Sequence, residues 1–213
     1  MNRHSSSRGA KAFTLIELLV IIAILALLFA ILVPAVAVGK SKPQRIKCTN
    51  NLKQAGISFR LWTTNYGDKH PGSVSTSKGS GLDYVVRTNF AAYFFLSMSN
   101  ELATPGVLVC PTDTRRPATN MASLNDANLS YFAGLDSDET MPSSLLAGDR
   151  NLTVNGVQAE GGIVEVHPTD ELGWTQAMHR YEGNVGLGDG SVQNLTSRRL
   201  SGLPGVTHRL AFP

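Results

Sequence analysis

Acidic residues are missing from the first twelve positions of this 213-residue chain, and charges of either sign are missing from positions 18–38 of the apolar segment that follows. The twelve residues before Phe13 contain Arg3, Arg8 and Lys11 and no acid, which is typical of the basic n-region of an export signal. Residues 18–38 then carry no charge. As a helix of about 1.5 Å per residue they span roughly 31 Å, enough to cross the hydrocarbon core of a bilayer.

The chain as a whole has little excess charge. The three basic residues of segment 1–12 account for the whole net charge of +3. The rest of the chain has equal numbers of basic and acidic side chains. The high isoelectric point therefore gives no reason to expect a nucleic-acid partner. Basic residues also flank the far end of the apolar run, so charge alone leaves the membrane orientation undecided; they are Lys40, Lys42, Arg45 and Lys47.

Cysteine is scarce, with only Cys48 and Cys110. In an oxidising compartment they could form one disulfide that closes a long loop, which typically adds about 2–5 kcal/mol of stability. Two separate buried thiols are the alternative, and the sequence does not distinguish between them.

One carboxylate, Glu17, stands near the start of the apolar run that extends from Phe13 to Val38. A carboxylate near the centre of a bilayer costs on the order of 2.5–3.5 kcal/mol, and an ordinary anchor gains nothing from it. Glu17 therefore either reaches the membrane interface or has a specific partner.

The residues around Glu17 resemble the type IV prepilin signal, with Lys11-Ala12 followed by Phe13-Thr14-Leu15-Ile16-Glu17-Leu18-Leu19-Val20. The resemblance implies that prepilin peptidase cuts between Ala12 and Phe13 and then methylates Phe13. The family usually has Gly at the position of Ala12. It also implies that Glu17 pairs with the free amine of Phe13 in a neighbouring subunit. Pro34 matches a proline that the family often has at this depth, where it would kink the helix. Ordinary signal-peptide cleavage after Ala35-Val36-Ala37, giving a mature start at Val38, is the alternative.

The pattern predicts an α+β fold: a long N-terminal helix, first transmembrane and then amphipathic, packed on a small, mostly antiparallel pilin-like sheet domain. Apolar residues after the Gly39–Pro43 break recur every three or four positions, which indicates one helix face ended by Gly67; they are Cys48, Leu52, Ala55, Phe59, Trp62 and Tyr66. The predicted parts are a leader (1–12), a transmembrane and filament-core helix (13–38), an amphipathic stem (39–66) and a globular domain (67–213).

Within the globular domain, residues 85–98 are predicted to form a short helix. Short apolar runs predict strands, and Asp189-Gly190 predicts a hairpin with a type I′ turn. The predicted strands are Val107–Cys110, Leu129–Gly134, Ser144–Gly148, Gly162–Val166 and the two arms of a hairpin over 184–195.

Three further segments resemble a planctomycete and verrucomicrobial group of pilin-like proteins. Cys48-Thr49-Asn50-Asn51-Leu52-Lys53-Gln54 resembles their Cys-x-Asn-Asn-Leu-Lys-Gln segment, and Cys110-Pro111-Thr112-Asp113 resembles Cys-Pro-Ser-Asp. His179, nine intervening residues and then Asp189-Gly190 resemble their His-x9-Asp-Gly signature. The chain also resembles the major pseudopilin of type II secretion.

Two sets of residues suggest site chemistry. His179 and Asp189 could form an acid–base or metal pair, although a turn aspartate and a packed histidine explain them better. Asp136, Asp138 and Glu139 place oxygen ligands close together, so calcium is a candidate; the alternative is a solvated acidic turn. No other cofactor is expected.

The sequence therefore favours a structural protein over an enzyme: a pilus or type II pseudopilus subunit. It would be a single-pass inner-membrane protein with its C-terminal domain in the periplasm or at the cell surface. Its partners would be prepilin peptidase, identical or related pilin subunits, an inner-membrane assembly platform and membrane lipid, without nucleic acid. The main alternative is a membrane-tethered periplasmic module that binds glycan through exposed Trp174 and Tyr181. A tethered hydrolase would need a nucleophile site that the sequence does not reveal.

Overall fold

The computed structural model describes residues 14–39, 41–67, 69–74, 85, 91–138, 140–203 and 207–213, without the side chains of residues 32–42 and 73. The chain divides into two compact units, Met1–Pro43 and Gln44–Pro213. Residues 44–66, most of the predicted amphipathic stem, lie in the same unit as the globular domain. The fold is α+β, with an N-terminal helical region followed by antiparallel sheets.

Four α-helices lie in the described residues: α1 (Leu15–Gly39), α2 (Ser41–Asn65), α3 (Ala92–Leu96) and α4 (Ser197–Leu200). Pro43 falls in the first turn of α2, where its missing N–H removes no helical hydrogen bond. Gly67 follows the end of α2 with a φ of +68°, the left-handed conformation typical of a helix stop. Among the described residues, no helix combines the length and apolar character needed to cross a membrane.

The predicted apolar face of α2 is confirmed. Five of its six residues are at most 1% exposed, namely Cys48, Leu52, Ala55, Phe59 and Trp62. Tyr66 is partly buried and stacks on Trp62, with ring centroids 3.9 Å apart. This face is the helical half of the domain core.

Nine strands form two sheets in the described part of the chain, and every strand pair is antiparallel. The larger sheet has six strands in the order β5-β9-β1-β2-β7-β8, and the smaller has the order β4-β3-β6. The strands are β1 (Tyr131–Gly134), β2 (Leu145–Asp149), β3 (Leu152–Val154), β4 (Val157–Gln158), β5 (Gly162–Val166), β6 (Leu172–Trp174), β7 (Glu182–Leu187), β8 (Val192–Thr196) and β9 (His208–Phe212).

The six-stranded sheet is covered on both faces. In β1, Tyr131 and Ala133 pack in the cluster that contains the buried face of α2. Phe132, between them, packs in a second cluster that contains residues of β3, β6 and α4. Because both faces are buried, β1 and β2 appear in the sequence as continuous apolar runs rather than as alternating patterns.

Several predictions from the sequence need correction. Val107–Cys110 is not a strand, because Pro105–Leu108 form a 3-10 helix whose N-cap, Thr104, accepts a hydrogen bond from the Gly106 N–H. The predicted helix over 85–98 is helical at Val85 and at Ala92–Leu96, residues 97–98 form a turn, and residues 86–90 lie outside the described part. Strands β3, β4, β6 and β9 were not predicted.

The predicted β7–β8 hairpin is confirmed, but the prediction of a type I′ turn is wrong. Only Gly190 has a positive φ (+78°), whereas a type I′ turn needs two such residues. The Gly190 N–H donates to the Leu187 carbonyl, and the Leu187 N–H donates to the Ser191 carbonyl. The loop is therefore a three-residue connection closed by a glycine in the left-handed region.

Candidate functional sites

Glu17 and Thr14 form a capping box at the start of α1. The Thr14 N–H and hydroxyl donate to Glu17 Oε2 over 2.9 and 2.8 Å, and the Glu17 N–H donates to Thr14 Oγ1 over 3.3 Å. This arrangement satisfies N–H groups that have no partner inside the helix. Glu17 thus has a partner in its own chain, in addition to the neighbouring amine that the resemblance implies.

Apart from Glu17 in its first turn, the described part of α1 is apolar on every side. All residues from 14 to 31 are exposed, including side chains such as Leu15, Leu27 and Ile31 at 80%, 64% and 65%. A helix that is apolar all round is stable only when lipid or other protein covers it.

The other predicted processing and assembly residues are less fully described. Ala12 and Phe13 lie outside the described residues. Pro34 lies within α1, and its side chain is outside the described part. A kink at Pro34 and the cut before Phe13 stay predictions.

A second site lies in the core between α2 and the six-stranded sheet. Cys48 and Cys110 form a disulfide there, with Cα atoms 4.8 Å apart. His179 Nε2 lies 3.3 Å from Cys48 Sγ and 3.4 Å from Cys110 Sγ. Asp149 Oδ2 lies 3.3 Å from the same nitrogen. All four residues are buried, and we call this group the cysteine cluster.

Burial sets the electrostatics of the cysteine cluster. Removal from water raises the pKa of the Asp149 carboxyl to about 7, despite hydrogen bonds from Asn184 that act in the opposite direction. Burial also lowers the pKa of His179 to about 4, which leaves the imidazole neutral near pH 7.

Asn184 fixes the orientation of the Asp149 carboxylate. Its backbone N–H and side-chain amide both donate to Asp149 Oδ2, over 2.6 and 3.0 Å. Neither Asp149 nor Asn184 was predicted from the sequence as a site residue. The available signal was an acidic residue that directly ends a wholly buried strand, since every residue of β2 is buried.

An ion pair holds the Cys110 segment against the end of β2. Arg150 donates from Nε and Nη2 to the two oxygens of Asp113, over 2.8 and 2.9 Å. Burial alone would raise the pKa of Asp113, but hydrogen bonds from Arg150 and others outweigh it and lower the pKa. Asp113 shares one turn with Cys110, and Arg150 directly follows Asp149. The ion pair between Asp113 and Arg150 therefore helps to position Cys110 and Asp149 in the cysteine cluster.

We expect Asp113→Asn to reduce the acid sensitivity of the domain. The folded carboxyl has a lower pKa than the unfolded one, near 3.9. Its stabilisation is therefore complete above about pH 4 and is lost as the pH falls through the lower folded value. Urea unfolding at pH 6, 4 and 3 should show a steeper loss of stability in the wild type than in the variant. Equal losses would show that the ion pair makes no contribution.

His179 and Asp189, considered from the sequence as a pair, have different surroundings. His179 contacts the cysteine cluster, whereas Asp189 is exposed in the β7–β8 turn and accepts a hydrogen bond from the Ser191 N–H. Arg60 of α2 donates to the Asp189 carbonyl. A Cβ at Gly190 would lie 2.7 Å from the Arg60 Nε, so glycine permits this contact between the turn and α2.

The candidate calcium ligands have other partners. Both Asp136 oxygens accept hydrogen bonds from the Arg209 side chain, and Asp138 accepts from the Thr140 N–H and hydroxyl. Glu139 lies outside the described residues. A calcium site here stays a prediction that no contact among the described residues supports.

Trp174 is not the exposed platform required by the glycan-binding alternative. It is only 3% exposed, and a Cβ at Gly183 would lie 2.7 Å from its indole ring. Tyr181 is 59% exposed, so of the two proposed aromatic contacts only one is available at the surface.

Comparison with known families identifies the N-terminal segment. Residues 7–33 match the family described as the prokaryotic N-terminal methylation motif. No curated protein and no solved structure matches the chain. The matched segment begins before the predicted cut and includes Glu17, so the chain carries an N-terminal signal of the type found in type IV pilin-like proteins.

Proposed function

We propose that this protein is a structural subunit of a pilus or of a type II secretion pseudopilus. The observation that carries the proposal is the methylation motif at residues 7–33, which includes the first and larger part of the apolar helix α1. Prepilin peptidase removes residues 1–12 and methylates Phe13. The protein is not an enzyme, and it acts by polymerising.

The apolar surface of α1 supports both stages of this function. Before assembly, lipid of the inner membrane covers the helix, which anchors the protein by a single span with its C-terminal domain in the periplasm or at the cell surface. During assembly the platform in the inner membrane moves α1 from lipid into a filament core. There the exposed side chains of residues 14–31 pack against identical or related subunits.

The charge near the start of α1 supports a role in setting the register between subunits. The Glu17 carboxylate accepts hydrogen bonds at one oxygen, Oε2, in the described contacts with Thr14. The second oxygen can accept from the methylated amine of Phe13 in a neighbouring subunit. In the low dielectric of a filament core, this charge-assisted bond offsets the desolvation of both groups. The capping box orients the carboxylate for that contact.

The first test concerns the residue before the cut. The resemblance implies that this position must be small, so we expect Ala12→Leu to block removal of the leader and Ala12→Gly to be cut at least as fast as the wild type. The chain is co-expressed with a prepilin peptidase, and cleavage is followed by intact mass. Ala10→Leu, two residues earlier, is the matched control and should be cut normally. Normal cleavage of Ala12→Leu at the same bond would contradict the proposal.

A further inference from the structure

The cysteine cluster draws on four separate parts of the domain. Cys48 lies on α2, Cys110 follows a 3-10 helix, Asp149 ends β2 and His179 precedes β7. Their potential ligand atoms all lie within 4.8 Å of one another. The proposed filament function, which depends on α1, gives this cluster no role. Three of its four members also belong to the segments that the sequence analysis singled out.

The distances in the cluster match those of a tetrahedral zinc site. With zinc bonds of about 2.3 Å to sulfur and about 2.0–2.2 Å to nitrogen and oxygen, neighbouring ligand atoms lie about 3.4–3.6 Å apart. The two sulfur-to-His179 Nε2 distances are 3.3 and 3.4 Å, and the Nε2-to-Asp149 Oδ2 distance is 3.3 Å. Cys48 Sγ lies 3.7 Å from Asp149 Oδ1. The two sulfurs, which are bonded in this structure, would have to move apart to bind zinc. The carboxylate would also have to turn one oxygen toward the metal, because His179 and Cys48 lie near different oxygens of Asp149.

The disulfide form leaves one buried oxygen poorly partnered. Asp149 is fully buried, and Asn184 donates to its Oδ2 from both the backbone N–H and the side-chain amide. The same amide nitrogen lies 3.2 Å from His179 Nε2, so this contact would give way to the metal in a zinc form. The sulfur that faces Oδ1 carries no proton in a disulfide and therefore cannot donate a hydrogen bond. A buried carboxylate oxygen without a donor is costly, and a bound cation removes that cost.

The residues around the cluster resemble the outer shell of a metal site. Thr112 Oγ1 lies 3.5 Å from His179 Nδ1 and 3.0 Å from Cys110 Sγ. The Tyr131 hydroxyl lies 3.5 Å from Cys48 Sγ. Together with Asn184 on the carboxylate, these groups would orient the imidazole and hydrogen-bond the thiolates, as partners behind metal ligands do.

We propose that Cys48, Cys110, Asp149 and His179 bind one zinc ion when the cysteines are reduced, and that the disulfide is the metal-free, oxidised form of the same site. Two thiolates, one imidazole and one carboxylate make a closed four-coordinate set that suits zinc and leaves no position for a substrate. The zinc form would connect α2 to the sheet without the covalent bond.

A dithiol reductant can convert the disulfide form of the site into the form that binds zinc. The dithiol transfers two electrons and two protons to the Cys48–Cys110 disulfide, becomes a disulfide itself and leaves two cysteine thiols. Zinc then replaces the two thiol protons, which pass to solvent. A small-molecule disulfide reverses the outcome: it takes two electrons from the two thiolates and two protons from solvent and becomes two thiols, while the Cys48–Cys110 bond forms and the zinc ion is released to solvent.

The test uses the full chain in detergent, prepared once with a dithiol reductant and once with the cysteines oxidised. Both samples are incubated with zinc chloride, freed of unbound metal and measured for zinc per chain and for free thiols. We expect about one zinc ion per reduced chain and almost none per oxidised chain. Treating the zinc-loaded sample with an oxidant should release the metal as the thiols disappear. A folded, reduced chain that retains no zinc, or equal zinc in both forms, would overturn the proposal.

Variants then assign the ligands. We expect His179→Gln and Asp149→Asn to lower zinc retention at least tenfold, while His167→Gln, an exposed histidine outside the cluster, keeps it unchanged. Each variant is first checked for cooperative melting in its oxidised form, where the disulfide maintains the fold without metal. Cobalt in place of zinc should give thiolate-to-metal charge-transfer absorption in the reduced wild type. Wild-type zinc retention in a folded His179→Gln variant, or cobalt spectra without thiolate absorption, would contradict the assignment.

Discussion

Replacing Glu17 with alanine is expected to abolish filament formation while leaving leader removal and membrane insertion intact. The carboxylate is the only charge in the apolar segment from Phe13 to Val38, and in the proposed filament it pairs with the Phe13 amine of a neighbouring subunit. Without it that amine would be buried unpaired, which typically costs about 3–5 kcal/mol per contact. Sheared filaments, quantified by immunoblot against total protein, measure the effect. Filaments at the wild-type level would contradict the pairing.

Two companion variants separate this pairing from helix capping. Glu17→Gln keeps an oxygen that can accept the Thr14 hydrogen bonds but removes the charge, so it should fail to assemble if the ion pair matters. Thr14→Ala removes the capping hydroxyl and keeps the charge, which costs about 0.5–2 kcal/mol of helix stability and should leave filaments present. The reverse result, with Glu17→Gln filaments normal and Thr14→Ala filaments lost, would assign Glu17 to capping alone.

Phe59→Ala is expected to destabilise the C-terminal unit by about 3–5 kcal/mol. Phe59 is fully buried, and its ring lies 5.6 Å from that of Phe94 and 6.4 Å from that of Phe95, measured between centroids. Its removal opens a cavity where α2 meets α3. Urea unfolding followed by tryptophan fluorescence suits this test, because both tryptophans of the chain are buried in this unit.

Leu61→Ala is the matched control for this core prediction. Leu61 lies on the same helix and is 52% exposed, so its truncation should change stability by about 0.5 kcal/mol or less. A similar loss in both variants would show that the buried face of α2 does not organise the core as described.

The sequence predicted the helical half of the fold better than the sheets. The face of α2 could be predicted because its apolar residues recur at helical spacing and its stop is a glycine. Strands β3, β4 and β6 contain two or three residues each, too few for a pattern to be recognised. Val107-Leu108-Val109 resembles a strand, but the proline and glycine before it favour the tighter 3-10 turn that Thr104 caps.

The cysteine cluster was only partly predictable. Cys48, Cys110 and His179 stood out as residue types and as parts of recognisable segments, but nothing in their spacing brings them together. Asp149 is joined to them by strand register: β1 pairs with β2 so that Tyr131 lies opposite Asp149, and the Tyr131 hydroxyl reaches Cys48. Sheet register of this kind depends on long-range pairing, which a single sequence does not reveal.

The most direct test of the proposed function is the N-terminus of the protein extracted from membranes. Mass spectrometry of the N-terminal peptide should find a mature chain that begins at Phe13 with a methylated amine, because the methylation motif at residues 7–33 contains that position. A free, methylated Phe13 supplies the partner that Glu17 needs for assembly. A chain that begins at Val38, or one that retains Met1 with no cleaved form present, would contradict the account.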